Sequence, residues 1–228
     1  MLHIEVILLD LDDTLWEVGP VIVRAEHAML AFLAEHYPRV LERHSLDSMR
    51  DVRARMALEH PGMRHDFTWL RLASLRHHAR DAGYPESMAD AAFEVFYRAR
   101  NEVQLYDDVM PSLERLRTRH RLYAVSNGNA DLGVIGLAAY FAGAVAARDA
   151  GALKPDPRVF ALALERAGAA AACALHVGDD AHADVEGARR AGLTPVWINR
   201  EGRDWPAKLS PPPHTVRTLS ELADLLGC

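Results

Sequence analysis

Leu8-Leu9-Asp10-Leu11-Asp12-Asp13-Thr14-Leu15 is the stretch on which the reading of this 228-residue chain turns. Ile4, Val6, Ile7, Leu8 and Leu9 lead into it as a short apolar run rich in β-branched residues. Such a run predicts a buried strand, the central one of a parallel sheet. It ends in three carboxylates within four residues, Asp10, Asp12 and Asp13. Open α/β sheets place their chemistry at the carboxyl ends of strands. Two carboxylates about 4 Å apart repel by about 4 kcal/mol at an effective dielectric near 20. Asp10 and Asp12 can therefore share a cleft as anions only beside a cation, a proton or strong donors. Taken alone, the same residues also fit an acidic turn or a helix N-cap.

Working outward, the pattern changes to helical after Trp16. Pro20 suits a first helical turn, with Ile22, Ala25, Met29, Phe32 and Leu33 at helical spacing until Pro38. Ser45 predicts the cap of a helix over 46–59, ended by Pro61-Gly62. Further helices are expected from Asp66 to Gly83 and over 88–99, with Ser87 or Asp90 at the start of the latter. No strand pattern interrupts residues 17–104, so this block reads as an all-helical insertion. Strand–helix alternation then resumes. Strands are expected at 122–125, 143–147, 174–177 and 195–198. Helices are expected at 111–120, 132–140, 157–167 and 183–191, and a last short helix capped by Ser220. Short links of this kind imply a parallel sheet with right-handed crossovers. The fold class is α/β, a Rossmann-like parallel sheet core built from 1–16 and 105–228, with an inserted helical cap over 17–104.

Composition narrows the function classes. With 50% hydrophobic residues, 25% charged residues and a net charge of −6, the chain has the balance of a soluble globular protein. It has no basic run interleaved with aromatics, so no nucleic-acid partner is expected. No stretch approaches the roughly 20 apolar residues of a membrane span, and no signal peptide is legible. Cys173 and Cys228 are read as free thiols in a reducing cytoplasm, with Cys173 buried.

Three further segments carry chemistry-bearing residues. Ser126-Asn127-Gly128-Asn129 follows a strand, where a hydroxyl and backbone N–H groups can hold a phosphoryl oxygen, though Ser-Asn-Gly is also an ordinary turn. Leu153-Lys154-Pro155-Asp156-Pro157 offers an ammonium on a proline-fixed loop; a lone loop lysine is usually just solvated. His176-Val177-Gly178-Asp179-Asp180-Ala181-His182-Ala183-Asp184 again puts acids after an apolar strand. Capping explains Asp180 or Asp184 singly, whereas beside Asp10 and Asp12 a hard-cation site is the better reading.

These four segments, in this order, resemble the motifs of the haloacid dehalogenase superfamily, and the resemblance covers essentially the whole chain. It implies that Asp10 attacks phosphorus and that Asp12 protonates the leaving group. Ser126, Asn127 and Lys154 would bind the phosphoryl group. Asp10, the main-chain carbonyl of Asp12, Asp179 and Asp184 would hold Mg2+, Asp184 directly or through water. An Asp at position 12 is absent from the superfamily's dehalogenases and is Thr in its transporting ATPases, so hydrolysis of a small phosphorylated metabolite is expected. Sugar phosphomutases retain this Asp and remain the enzymatic alternative; a non-catalytic binding protein would not need all four motifs.

The insertion lies where this superfamily places helical caps that close over the leaving group, with crossings near 16–19 and 104–108. Trp69, Arg71 and His65 are the cap candidates for touching substrate, although Phe67, Trp69 and Leu70 also suit a cap core. Val21-Ile22-Val23-Arg24, the 65–71 segment and the Ser126 and His176 motifs resemble a bacterial subgroup that dephosphorylates flavin mononucleotide and the ribitylaminouracil phosphate of riboflavin synthesis. The loop before Lys154 departs from that subgroup. Stacking on Trp69 or Trp16 would suit such rings. A monomer or homodimer is expected.

Overall fold

The structure, a computed structural model, describes residues 3–228. The chain divides into two compact units, Met1–Glu17 with Gln104–Cys228, and Val18–Val103.

The first unit is built on the strand predicted from the opening stretch. β1 (Val6–Leu9) is buried along its whole length, as a strand covered on both faces must be. The chain then leaves for the second unit, formed by α1 (Val18–His36), α2 (Pro38–Arg43), α3 (Leu46–Glu59), α4 (Phe67–Asp81) and α5 (Ser87–Arg100). On its return it forms α6 (Val109–Leu116), β2 (Arg121–Ser126), α7 (Leu132–Ile135), β3 (Gly143–Ala146), α8 (Ala147–Ala150), α9 (Pro157–Ala167) and β4 (Ala174–Gly178). The last elements are α10 (Gly187–Arg190), β5 (Thr194–Ile198), β6 (His214–Val216) and α11 (Leu219–Leu225).

Among the described residues the sheet has six strands in the order β3-β2-β1-β4-β5-β6. All pairings are parallel, with Leu9 opposite Ala124 on one side and Val177 on the other. The chain first builds β2 and β3 on one side of β1, then crosses to build β4, β5 and β6 on the other. β1 is therefore the switch point, where a cleft opens at the carboxyl ends. Asp10, Ser126 and Asp179 end or follow the three adjacent strands at that edge. Below it, Val6, Leu8, Val125, Val145, Phe160 and Ala163 form an apolar layer that fixes the sheet against α9.

The helical unit has its own core around Ala25, Met29, Leu33, Leu75, Met88 and Phe96. Ser45 caps α3 by accepting from Ser48 N–H at 3.2 Å, and Asp66 caps α4 by accepting from Trp69 N–H at 2.9 Å. Within this core His78 is fully buried and its ring lies 4.4 Å from that of His44, which pairs with Asp81. Burial, with His44 and His77 nearby, pushes the His78 imidazole down to about 4. A depressed histidine adds stability above its unfolded value of 6.5, and that stability is lost as pH falls toward 4. Urea unfolding should therefore show His78 costing about 2 kcal/mol between pH 7 and pH 5. His78→Leu should remove that part of the pH dependence.

Several local expectations are corrected. Pro38 opens α2 from its first turn rather than only ending α1. Ser87 is the first residue of α5, and the preceding Glu86 makes no side-chain cap. The helix expected over 132–140 breaks at Gly136, which takes φ 88° and separates α7 from a 3-10 turn at Ala138–Tyr140. α11 is capped by Thr218, which accepts from Glu221 N–H, while the Ser220 hydroxyl pairs with Ser112. Cys173 is half-buried, not buried. The three-residue edge strand β6 has too short a pattern to read.

Candidate active site

Four chain segments converge at the carboxyl edge of the sheet. Asp10 continues β1, its N–H donating to Val177 O at 2.9 Å. The Lys154 ammonium donates to Asp10 Oδ1 at 2.5 Å, to Asp184 Oδ1 at 2.7 Å and to Val125 O at 2.9 Å. Thr14 Oγ1 donates to Asp10 Oδ2 at 3.2 Å. Asp10, Lys154 and Asp184 are all buried, so the loop lysine does not follow the solvated reading.

Each member is held by a local device. Asn127 clamps the Lys154 backbone, accepting its N–H at 2.7 Å and donating to its carbonyl at 3.2 Å. The Asn127 side chain is thus engaged with the lysine loop. Ser126 Oγ accepts from Gly128 N–H at 2.9 Å, which shapes the turn after β2. Asp12 lies on the loop after Asp10, and its Oδ1 accepts the Trp16 indole N–H at 2.9 Å. Trp16 itself is 0% exposed, which removes it as a stacking platform. Asp13 takes φ 57°, the left-handed turn that folds Trp16 back toward Asp12.

Asp184 sits in a six-residue π-helical turn, Ala181–Glu186. Such turns are rare and frequent at functional sites. Its Oδ1 also accepts from His176 Nε2 at 2.9 Å, and its Oδ2 accepts from Asp180 N–H at 3.0 Å. Gly178 makes this approach possible, since a Cβ there would lie 2.3 Å from Asp184 Cγ. No real Cβ tolerates that distance, so Gly178→Ala must displace the Asp184 carboxylate. Activity should fall at least about 10²-fold, because catalytic groups must be held within a fraction of an ångström. Steady-state kinetics together with a melting curve would check this.

The electrostatics are those of a crowded acid cluster. Burial pushes Asp10 up to about 8, against the pull of Lys154 and with the repulsion of Asp184 adding to it. Although burial alone would raise it, Lys154 and His176 hold the Asp184 carboxyl well below the usual carboxylate range. The two acids hold the Lys154 ammonium above its usual range despite burial. Asp179, raised to about 6 by burial, is paired with Arg203 at 2.9 Å. One carboxylate oxygen from each of Asp10, Asp179 and Asp184 lies within 4.8 Å of the others. Among the described residues, this is the one such group able to hold a metal. An all-oxygen donor set fits a hard divalent cation.

Three groups with a part in this geometry escape sequence reasoning. His176 has no role in the sequence reading, although a histidine inside an apolar strand is itself a signal of a polar partner. Arg203 follows β5 in a stretch without pattern. Trp197 donates its indole N–H to Asp179 O at 2.8 Å; an aromatic in a buried strand reads only as core. In the helical unit, Trp69 is half-buried and stands edge-on to His60 at 5.1 Å, and His65 is half-buried. Arg71 is buried, stacked 3.5 Å over Phe96, with Glu26 3.8 Å away. It belongs to the interior of that unit.

The switch point of the parallel sheet thus presents a lysine-bound aspartate beside a carboxylate cluster. The chain belongs to the haloacid dehalogenase-like hydrolases, whose family pattern matches residues 4–192. It is 32% identical over 217 residues to the 5-amino-6-(5-phospho-D-ribitylamino)uracil phosphatase YigB of Escherichia coli K12, covering 92% of this chain and 91% of that protein. It is similar in structure to a 2-haloacid dehalogenase from Pseudomonas syringae pv. Tomato DC3000, with TM-score 0.93 and 40% identity over 98% of both chains. A phosphatase of the same family from Thermococcus onnurineus superposes with TM-score 0.68 at 27% identity, over 98% of both chains. The protein is a phosphatase of this family. No described helix is long and apolar enough to cross a membrane.

Proposed function

We propose that the protein is a magnesium-dependent phosphomonoesterase acting through an aspartyl-phosphate, and that its substrates are ribityl phosphates of the flavin type. The observation that carries the chemistry is the Lys154 ammonium bridging Asp10 and Asp184 at the strand ends, beside Asp179.

Asp10 attacks phosphorus while the ester P–O bond breaks, and Asp12 gives its proton to the leaving alkoxide. Water then attacks the aspartyl-phosphate, Asp12 takes a proton from it, and inorganic phosphate leaves with Asp10 regenerated. The indole of Trp16 orients Asp12 through its Oδ1. Ser126 and Lys154 stabilise the phosphoryl oxygens. Asp10, Asp179, Asp184 and the Asp12 carbonyl would hold Mg2+, which supplies positive charge to the phosphoryl oxygens and favours ionised Asp10. Asp184 already accepts from Lys154, His176 and Asp180. With about four acceptor positions on a carboxylate, this favours contact through a bound water. The two free cysteines suit a cytoplasmic setting.

The ribityl phosphate reading is supported by the likeness to the Escherichia coli phosphatase over most of both chains. The 40% identical structure carries a dehalogenase name, which makes haloacid hydrolysis the second reading; Asp12, oriented by the Trp16 indole, speaks for phosphate esters. The experiment is phosphate release with and without Mg2+ from flavin mononucleotide, the ribitylaminouracil phosphate, sugar phosphates and nucleotides. Chloride release from 2-chloropropionate runs alongside, with Asp10→Asn as blank. Preference for the two ribityl phosphates supports the reading, broad weak release removes the substrate assignment, and chloride release without phosphate release overturns the reaction. We place substrate selection on the helical unit, at Trp69 and His65. Trp69→Ala should lower kcat/KM for flavin mononucleotide about tenfold, the worth of one aromatic contact, and leave a small sugar phosphate nearly unchanged. Equal losses would remove Trp69 from that role.

A further inference from the structure

The helical unit encloses a charge cluster that the catalytic account does not use. Glu26 on α1 is 1% exposed. Arg50 on α3 donates to it from Nη2 at 2.5 Å and from Nε at 3.2 Å. Arg53, also on α3, stands 3.5 Å from the same carboxylate, and Arg71 on α4 stands 3.8 Å away. Three guanidiniums thus face one buried carboxylate. The remaining acid in contact, Asp47, lies out in solvent and touches only Arg50.

Arg71 is the member left short. It is 8% exposed, carries five N–H donors, and donates no hydrogen bond among those described. Its stacking on Phe96 supplies a face contact but no acceptor. Its nitrogens are not sealed from solvent, so a small ligand can reach them. Burial and the neighbouring Arg53 pull Arg71 down to about 9, against the effect of Glu26. Beside it lies a cavity of about 10 Å³ lined by Met49, Arg50, Arg53, Arg71, Ser74 and Leu75. That volume admits about one water-sized body. Three arginine side chains stand around it among apolar residues.

We propose that this cavity is a binding site for a single chloride-sized monovalent anion, held by Arg71 and Arg53. The anion supplies the acceptor that Arg71 lacks and balances the charge that Glu26 leaves over. The site lies wholly within the helical unit and is independent of the reaction at Asp10.

The test uses the metal-free protein, whose catalytic cluster is acidic and does not attract anions. Thermal unfolding is followed at constant ionic strength while gluconate, a bulky and weakly binding anion, is replaced by bromide. Crystals are soaked in bromide for anomalous scattering. The expected results are a saturable rise in melting temperature and an anomalous peak between Arg53 and Arg71. Arg71→Met should abolish the saturable rise. Glu26→Gln removes the competing carboxylate and should tighten bromide binding about tenfold or more, a result that a purely structural ion cluster would not give. The proposal is overturned by no saturable rise in the wild type, by a Glu26→Gln variant that binds no tighter, or by a cavity that holds only water in bromide-soaked crystals.

Discussion

Asp10→Asn is expected to abolish phosphate release, lowering kcat by at least about 10⁴-fold. The amide keeps the shape of the carboxylate but has no anionic oxygen with which to attack phosphorus, and removing a nucleophile typically costs losses of this order. The same change should leave the fold intact. Asp10 is buried, and that burial already pushes its carboxyl up to about 8, so a neutral side chain is well tolerated at this position. Lys154 retains Asp184 and the Val125 carbonyl as acceptors. A melting temperature near that of the wild type, beside a dead enzyme, is the expected pair of results. Substantial residual turnover would mean that another group attacks phosphorus.

Lys154→Met should damage both activity and stability. In the wild type one ammonium serves two buried carboxylates and a strand carbonyl. Removing one partner of a buried ion pair generally costs about 3–5 kcal/mol, because the charge left behind has neither water nor a counter-ion. Here Asp10 can take up a proton instead, which places the expected loss near the low end, about 3 kcal/mol. Urea unfolding of the metal-free protein, followed by tryptophan fluorescence, measures it. Catalysis should fall about 10²–10³-fold through loss of a preorganised positive charge. Mg2+ should recover part of the stability, since it brings positive charge back to the same acids. A stability loss that Mg2+ leaves untouched would contradict the placement of the cation beside Asp10 and Asp184.

The parts of the molecule that were legible share a physical reason. β1 could be read because four buried residues in a row leave an unbroken apolar run, and the acids that end it mark the edge where the chemistry lies. The caps at Ser45 and Asp66 were readable because a short polar side chain before an apolar periodicity has few other uses. Asp10, Lys154 and Asp184 are 30 or more residues apart in sequence, and it is the register of β1 against β2 and β4 that brings them together. Their local contexts announced strand ends and a loop, but not that one lysine would bridge two acids. The grip of the Asn127 side chain on the Lys154 backbone is a long-range contact with no local trace. Trp16 illustrates the same limit. An aromatic beside a catalytic loop suggests stacking, and only tertiary packing shows it buried and spent on Asp12.

Arg203 is the contact with the least sequence support and a direct bearing on the metal. It lies in the loop after β5, held by paired hydrogen bonds between the Asn199 side chain and the Arg203 backbone. Its guanidinium reaches Asp179 Oδ2. Nothing in the residues around position 203 predicts a partner in the 179 motif, since the pairing depends on where β5 lies relative to β4.

The central claim is that phosphate is transferred to Asp10 before it reaches water. The most direct measurement is rapid acid quenching during turnover of flavin mononucleotide with Mg2+, reduction of any acyl phosphate with borohydride, and peptide mass spectrometry. The account predicts reduction of Asp10 to homoserine, absent in Asp10→Asn and absent without substrate. Turnover at full rate, with quenching fast enough to catch an intermediate and no modification at Asp10, would contradict it.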